Sequence, residues 1–128
     1  MSELKRFFIC GSALRGQPDH QNLKGASFVG EAKTQPRYRL HAIKSGWHPG
    51  IYEADEGQGI SIPGEIYEMT AEQYDYLIAN EPPDMYEAPI ALDNGDRVSA
   101  MLYPKALCLD WPDISGLGGW AAYKVAGE

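Results

Sequence analysis

The sequence has few cysteines and few histidines, and each scarcity excludes a class of function. The two cysteines, Cys10 and Cys108, are far apart and match no zinc or redox spacing, so we expect two reduced, buried thiols rather than a disulfide. The three histidines, His20, His41 and His48, form no HxH or HExxH grouping. We therefore expect no metal site and no cofactor.

Basic residues are scarce relative to acidic ones, at 11 against 18, and the formal charge is −7. Nucleic-acid binding needs clustered lysine and arginine to contact phosphates, and the chain has no basic stripe. No apolar run is long enough to cross a bilayer. The charged residues 1–6, followed by a short Phe-Phe-Ile run, do not form a secretory signal. We expect a cytoplasmic protein that binds neither nucleic acid nor a membrane.

What the chain does have is a short apolar segment that stops abruptly. Phe7, Phe8 and Ile9 are aromatic or β-branched, and they run directly into Cys10-Gly11-Ser12. This pattern predicts a buried strand that ends in a sharp turn. The glycine leaves the neighbouring N–H groups accessible, which is typical of an anion or oxyanion cradle. An ordinary turn is the alternative.

Further strands are predicted along the rest of the chain. Apolar and β-branched patterns indicate strands at 28–34, 38–44, 51–54 and 60–69, and a hairpin of 86–92 with 97–103 around Asn94-Gly95. Pro63-Gly64 predicts a bend in the longest strand. The 128 residues are expected to form a single domain, residues 1–128, of the α+β class with six or seven mainly antiparallel strands.

One helix is well defined by the residues at its ends. Thr70 and Gln73 have the spacing of a capping box. The helix should end near Asn80, because Pro82-Pro83 cannot continue it. Glu81 is therefore expected at or just past the helix C-terminus. A glutamate in that position is either a solvated surface group or, when partly buried, a usable base.

The order of these motifs resembles the γ-glutamylcyclotransferase-like family. Members carry Tyr-Gly-Ser-Asn where this chain has Cys10-Gly11-Ser12-Ala13, and Glu-Gly where it has Glu81-Pro82. The resemblance spans about residues 7–103 and rests on the order and spacing of the motifs rather than on any one of them.

The resemblance implies a small mixed, mainly antiparallel β-barrel flanked by one main helix and short C-terminal helices, with a ligand cavity at its mouth. The backbone of Cys10, Gly11 and Ser12 would hold a substrate oxygen, and Glu81 would be the general base. In that family the base takes a proton from the α-amine of a γ-glutamyl group. The amine then attacks the γ-carbonyl, and 5-oxoproline and an amine are released, which is chemistry of a transferase or lyase type.

Further substrate-binding positions are expected around the first motif: Ala13, Leu14, His20, Pro49, Gly50 and Tyr86. His20 either lines the pocket or is a plain surface histidine. The stretch His48-Pro49-Gly50 is predicted to be a loop, forming either the pocket rim or a structural turn. Cys10 is either a thiol nucleophile or a small buried hydrophobic residue.

A second branch of the same fold is also similar. The loop GQPDHQNL at 16–23 and the strand entry PRYRL at 36–40 resemble the C-terminal domain of allophanate hydrolases, which acts on small urea-derived carboxylates. The expected partners are a small-molecule substrate and either an amidase on another chain or a second copy of this chain. A third hypothesis is a catalytically silent module that binds a small ligand. Turnover of γ-glutamyl amides, of carbamoyl compounds or of neither separates the three.

Overall fold

The secondary structure is mostly β. The computed structural model describes residues 4–11, 14, 20–23, 25–44, 48–79, 84–117 and 119–126. Within these residues the strands are β1 Lys5–Ile9, β2 Ser27–Lys33, β3 Tyr38–Ile43, β4 His48–Glu53, β5 Pro63–Met69, β6 Tyr86–Ala91 and β7 Arg97–Leu102. The helices are α1 Ala71–Ala79, α2 Lys105–Cys108 and α3 Trp120–Ala126, with short 3₁₀ turns at His20–Leu23 and Ser115–Leu117.

Strand β1 lies at the centre of a five-stranded sheet in the order β2-β5-β1-β7-β6. It pairs antiparallel with β5 and parallel with β7, while β3 and β4 form a separate two-stranded sheet. Phe7 and Phe8 point to opposite faces of β1 and are 1% and 2% exposed. The first strand is therefore covered on both faces and paired along both edges, as its apolar sequence predicts.

The predicted α+β class, with mainly antiparallel strands and few helices, is confirmed, although the sheet is not a closed barrel. The edge strands β2 and β6 approach each other at one end, where Thr34 and Leu92 form an antiparallel bridge. The N–H of Gln35 donates to the carbonyl of Ala91 at 2.9 Å, and the N–H of Asp93 donates to Lys33 at 2.9 Å. The two edges of this open sheet therefore meet at that end in the described part of the chain.

The capping box that begins α1 is confirmed by two reciprocal hydrogen bonds. The Thr70 N–H donates to Oε1 of Gln73 at 2.9 Å, and the Gln73 N–H donates to Oγ1 of Thr70 at 3.2 Å. The helix buries Leu77 and places Tyr74 against Phe7, with ring centroids 6.0 Å apart. The predicted helix end near Asn80, and Glu81 itself, lie outside the described residues.

The predicted loop at His48-Pro49-Gly50 is wrong, because these residues begin strand β4 and are buried. Pro49 pairs opposite Ala42 and Gly50 opposite His41. Gly50 is needed for close packing, since a Cβ atom there would lie 2.7 Å from Cδ1 of Ile43. Proline and glycine indicate a loop by composition, but here Gly50 leaves room for the side chains of Ile43 and Cys108.

The strand predicted at 60–69 is shorter than expected. It begins at Pro63, and Ile60 forms only an isolated bridge with Tyr38. The hairpin predicted around Asn94-Gly95 is confirmed, with β6 and β7 paired antiparallel and Gly95 at a φ of 94°. This positive φ explains why glycine suits that turn position.

The C-terminal segment covers the outer edge of β3. The N–H of Ala42 donates to the carbonyl of Pro112 at 2.9 Å, and the N–H of Ile114 donates to Leu40 at 2.8 Å. The Leu40 N–H in turn donates to Oγ of Ser115 at 2.9 Å. Backbone groups that would otherwise be left at an open strand edge are therefore satisfied within the chain.

The two cysteines are buried thiols, as predicted. Burial raises the pKa of the Cys108 thiol to about 12, so this group is not a reactive thiolate. None of the helices that the structure describes is long and apolar enough to cross a membrane.

The packing of β5 against β1 predicts a steric effect at Gly64. A Cβ atom at this position would lie 2.4 Å from the carbonyl oxygen of Ile9, which cannot move without disturbing β1. We expect Gly64→Ala to lower the free energy of unfolding by about 1–3 kcal/mol, as overpacking generally does. Urea denaturation of the purified protein measures this change.

The matched control is Gly30→Ala on the neighbouring strand β2, where a Cβ atom would meet nothing within 4 Å. Because alanine restricts the unfolded chain more than glycine does, this variant should be neutral or slightly more stable. Equal destabilisation by both substitutions would contradict the packing argument.

Candidate functional site

A cleft of about 680 Å³ opens beside the start of β5, where β1 ends. Its described walls contain three carboxylates, one ammonium group and an indole, from Glu31, Glu65, Asp93, Lys33 and Trp120. Leu14, from the turn that follows β1, completes the apolar part of the lining. The size and the mixture of apolar and charged groups are typical of a site for a small molecule.

Glu65 is the buried carboxylate of this cleft. It is 8% exposed, and its Oε1 accepts a hydrogen bond from the Tyr67 hydroxyl at 3.0 Å. Glu65 and Tyr67 are two positions apart on β5 and therefore share one face of the sheet. Burying a carboxylate is costly unless hydrogen bonds stabilise it, so Glu65 is a candidate functional group of this cleft.

The strand register brings a second carboxylate to the same place. Glu31 on β2 lies directly opposite Glu65 on β5. The side chains of two directly opposite residues lie on the same face of a sheet, and two like charges in such a pair destabilise it. Lys33, two positions further along β2, shares this face as well. The cleft therefore presents a buried and an exposed carboxylate beside one ammonium group, an arrangement that can accept, donate and neutralise charge on a ligand.

Several residues predicted from the first motif lie close to this cleft. Leu14 is part of its wall, and its N–H donates to the carbonyl of Gly11 at 3.0 Å in the turn after β1. The ring of His20 lies against the ring of Tyr67, with centroids 6.0 Å apart. Cys10 is buried at the end of β1. Ser12, Ala13 and Glu81 lie outside the described residues, so the cradle and the base stay predictions.

Gly11 is required by packing, whatever its role toward a ligand. A Cβ atom at Gly11 would lie 2.1 Å from Cγ of Pro49. From the sequence, this glycine is expected to leave the neighbouring backbone N–H groups open to a ligand. The geometry adds a second reason, the close approach of β4 to the turn after β1.

Three other predicted substrate-binding residues are not among the described residues that line the cleft. Pro49 and Gly50 are buried within β4, and Tyr86 is 45% exposed on the edge strand β6. Arg39 of β3 donates to Asp113 through its Nε at 3.0 Å and Nη2 at 2.8 Å. Substrate binding by Pro49, Gly50 and Tyr86 stays a prediction.

Sequence reasoning missed Glu65 as a site residue. A signal was present, because the glutamate interrupts an apolar strand pattern between Ile62 and Ile66. A charged residue inside a buried strand is uncommon and is usually paired or functional. Glu31, Lys33 and Trp120 gave no comparable signal, since each reaches the cleft through long-range pairing or packing.

His48 is a buried histidine outside the cleft. It is 2% exposed, and its Nδ1–H donates to the carbonyl of Pro49 at 2.9 Å. Burial lowers the pKa of His48, the hydrogen bond to Pro49 opposes that change, and the charge of Lys44 lowers the pKa further. The imidazole is thus held in the neutral form by its surroundings.

The model of the allophanate hydrolase C-terminal domain family matches residues 5–125. The chain belongs to this family. The match covers the strands, the cleft and the C-terminal segment that covers β3.

Two curated proteins are similar to this chain. A urea amidolyase of Lachancea kluyveri is 27% identical over 99 residues, which is 73% of this chain and 5% of that protein. A candidate gamma-glutamylcyclotransferase of Vibrio cholerae is 32% identical over 73 residues, which is 55% of this chain and 58% of that protein. The chain therefore spans a small part of the first relative and just over half of the second.

Three solved structures are also similar to this family member. A uropathogenic E. coli-specific protein superposes with a TM-score of 0.88 at 28% identity, covering 96% of this chain and 97% of that one. Allophanate hydrolase of Kluyveromyces lactis gives a TM-score of 0.89 at 23% identity, covering 98% of this chain and 22% of that one. An AIG2-like protein of Mus musculus gives 0.64 at 22% identity, covering 88% and 87%. The last two show a shared fold.

The lowered pKa of His48 predicts how the stability of this chain changes with pH. A histidine whose pKa is lower in the folded state binds a proton more readily when unfolded. Its contribution is therefore retained above about pH 6.5, the unfolded value, and is lost as the pH falls below it. We expect His48→Gln to reduce the loss of unfolding free energy between about pH 7.5 and pH 5.5, as measured by urea denaturation.

The quantity compared is the slope of the unfolding free energy against pH in the wild type and in His48→Gln. A loss of stability that is equal at every pH does not change this slope. An unchanged slope, with the variant parallel to the wild type across the range, would show that His48 does not couple folding to protonation.

Proposed function

We propose that this domain acts on a small urea-derived carbamoyl carboxylate in the cleft, with Glu65 transferring the proton. The observation that carries the proposal is the family match over residues 5–125. The similarity to a urea amidolyase supports the same substrate class. The cleft of about 680 Å³ is large enough for such a compound.

The described lining offers a group for each part of such a substrate. Lys33 supplies the positive charge that a carboxylate needs, and Trp120 and Leu14 supply apolar walls that limit access of water. Glu65 is the acceptor and donor of a proton at the reacting centre. Its hydrogen bond from Tyr67 fixes the orientation of the carboxylate.

The proposed reaction is hydrolysis of a carbamoyl C–N bond. Water attacks the carbonyl carbon and gives one proton to the Glu65 carboxylate. The C–N bond then breaks, and Glu65 passes that proton to the departing nitrogen. The balance needs only substrate and water, and general acid–base catalysis of this kind contributes about 10²–10⁴-fold in rate.

A second candidate is cyclisation of a γ-glutamyl amide, with Glu81 as the base and the backbone of Cys10, Gly11 and Ser12 as the oxyanion cradle. The similarity to a candidate gamma-glutamylcyclotransferase supports it. The charge of the cleft does so too, because three carboxylates against one ammonium group in the described lining suit a ligand that carries a cationic amine. The third hypothesis is a catalytically silent module that binds a small ligand.

One substrate panel distinguishes these functions. Purified protein is incubated with allophanate-type carbamoyl compounds and with γ-glutamyl amino acids, and products are followed by mass spectrometry. We expect turnover of a carbamoyl compound, and a loss of about 100-fold or more in kcat for Glu65→Gln, because the amide still accepts a hydrogen bond from Tyr67 but takes no proton. The matched control is Glu72→Gln, an exposed residue of α1, which should keep full activity.

Other results of the substrate panel would support one of the two alternative functions. Release of 5-oxoproline that is lost in Glu81→Gln and kept in Glu65→Gln would replace the proposal with the cyclotransferase reaction. Binding of panel compounds without turnover of any of them would favour the silent module. Full turnover of carbamoyl compounds by Glu65→Gln would remove the role of Glu65.

A further inference from the structure

A second depression, which we call the Tyr52 groove, shares no described lining residue with the cleft. It has a volume of about 340 Å³ and is lined by Arg39, Tyr52, Ala54, Asp55, Gln58, Lys105 and Asp113. These residues come from β3, β4, the connection between β4 and β5, α2 and the C-terminal segment. Five separate parts of the chain therefore converge on a groove whose lining is mostly polar.

The floor of the Tyr52 groove is held in place by a buried hydrogen-bond network. His41, which is 3% exposed, has Nδ1 2.9 Å from the carbonyl of Trp111. Because a carbonyl only accepts, Nδ1 carries a proton, and Nε2 lies 3.4 Å from the Tyr52 hydroxyl and 3.6 Å from Oδ2 of Asp113. His41 thus holds the Tyr52 hydroxyl in place, and the oxygen of that hydroxyl can accept a hydrogen bond from a donor in the groove.

One side of the Tyr52 groove is already neutralised. Arg39 donates to Oδ2 of Asp113 through Nε and Nη2, and its Nη1 donates to the carbonyl of Gln58 at 3.2 Å. Although burial acts in the opposite direction, hydrogen bonds from Ser115 and Arg39 hold the pKa of Asp113 below its usual range. The Arg39–Asp113 pair therefore acts as a rigid wall with no net charge.

Two unlike charges of the groove are left for a ligand. Among the described residues no carboxylate lies within 4.0 Å of the Lys105 ammonium, which is 5.7 Å from the centre of the Tyr52 ring. The Asp55 carboxylate likewise has no cationic partner within that distance in the described part of the chain. A ligand with one negative and one positive group would satisfy both.

We propose that the Tyr52 groove is a binding site for a small zwitterionic amino acid. The ligand carboxylate accepts from the Lys105 ammonium. The ligand ammonium donates to the Asp55 carboxylate and to the oxygen of Tyr52, which His41 holds in place. Because this site uses a different sheet and different residues from the cleft, it does not depend on the reaction proposed there.

Titration of the ¹⁵N-labelled full chain with glycine, followed by amide NMR shifts, tests the proposal. We expect saturable shifts centred on Tyr52, Asp55 and Lys105. Lys105→Gln and Asp55→Asn should each weaken glycine binding about tenfold, since each removes one charged hydrogen bond. Both side chains are exposed, so neither substitution threatens the fold.

Acetate, which carries only the carboxylate group of glycine, and methylamine, which carries only the ammonium group, are titrated in parallel. Both should bind at least about tenfold more weakly than glycine. The matched control variants are Lys124→Gln on α3 and Asp75→Asn on α1, which should leave glycine binding unchanged. Equal binding of acetate and glycine, shifts that do not saturate, or unchanged affinity in both groove variants would each overturn the proposal.

Discussion

The close contact between β1 and β5 is the constraint on which the rest of the structure depends. The carbonyl of Ile9 lies so near Gly64 that only a hydrogen fits between the two backbones. This contact fixes the register of the two strands, in which Ile9 pairs opposite Glu65. Since a shift of one residue would turn every side chain of β5 to the other face, the register also decides that Glu65 faces the cleft.

The two polar sites are constructed differently, although both have buried floors. In the cleft, a carboxylate is buried within the central sheet and its orientation is set by Tyr67, two positions away on the same strand. At the Tyr52 groove, the buried His41 of β3 contacts Tyr52 of β4 and the carbonyl of Trp111 in the C-terminal segment. The first site therefore depends on strand register, whereas the second depends on the docking of a segment far along the chain.

Features with local causes could be predicted from the sequence, and features with distant causes could not. The capping box of Thr70 and Gln73 and the turn at Gly95 involve partners within a few residues, so their residue types indicate the structure directly. The start of β4 was mispredicted, because the fit of Gly50 against Cys108 comes from tertiary packing that no local pattern records. Glu65 is an intermediate case: its charge within an apolar strand pattern is a local signal, but its position opposite Glu31 is specified only once the strands have paired.

The way the chain covers its own sheet edges has a consequence for its surroundings. Strand edges with unsatisfied N–H and C=O groups invite pairing with other polypeptides. Here the meeting of Thr34 with Leu92 joins the two outer strands at one end, and the segment around Ser115 covers β3. A fold protected in this manner can stand next to other folded units without its strands merging with theirs. That property suits an architecture found both in short proteins and within the much longer allophanate hydrolase of Kluyveromyces lactis.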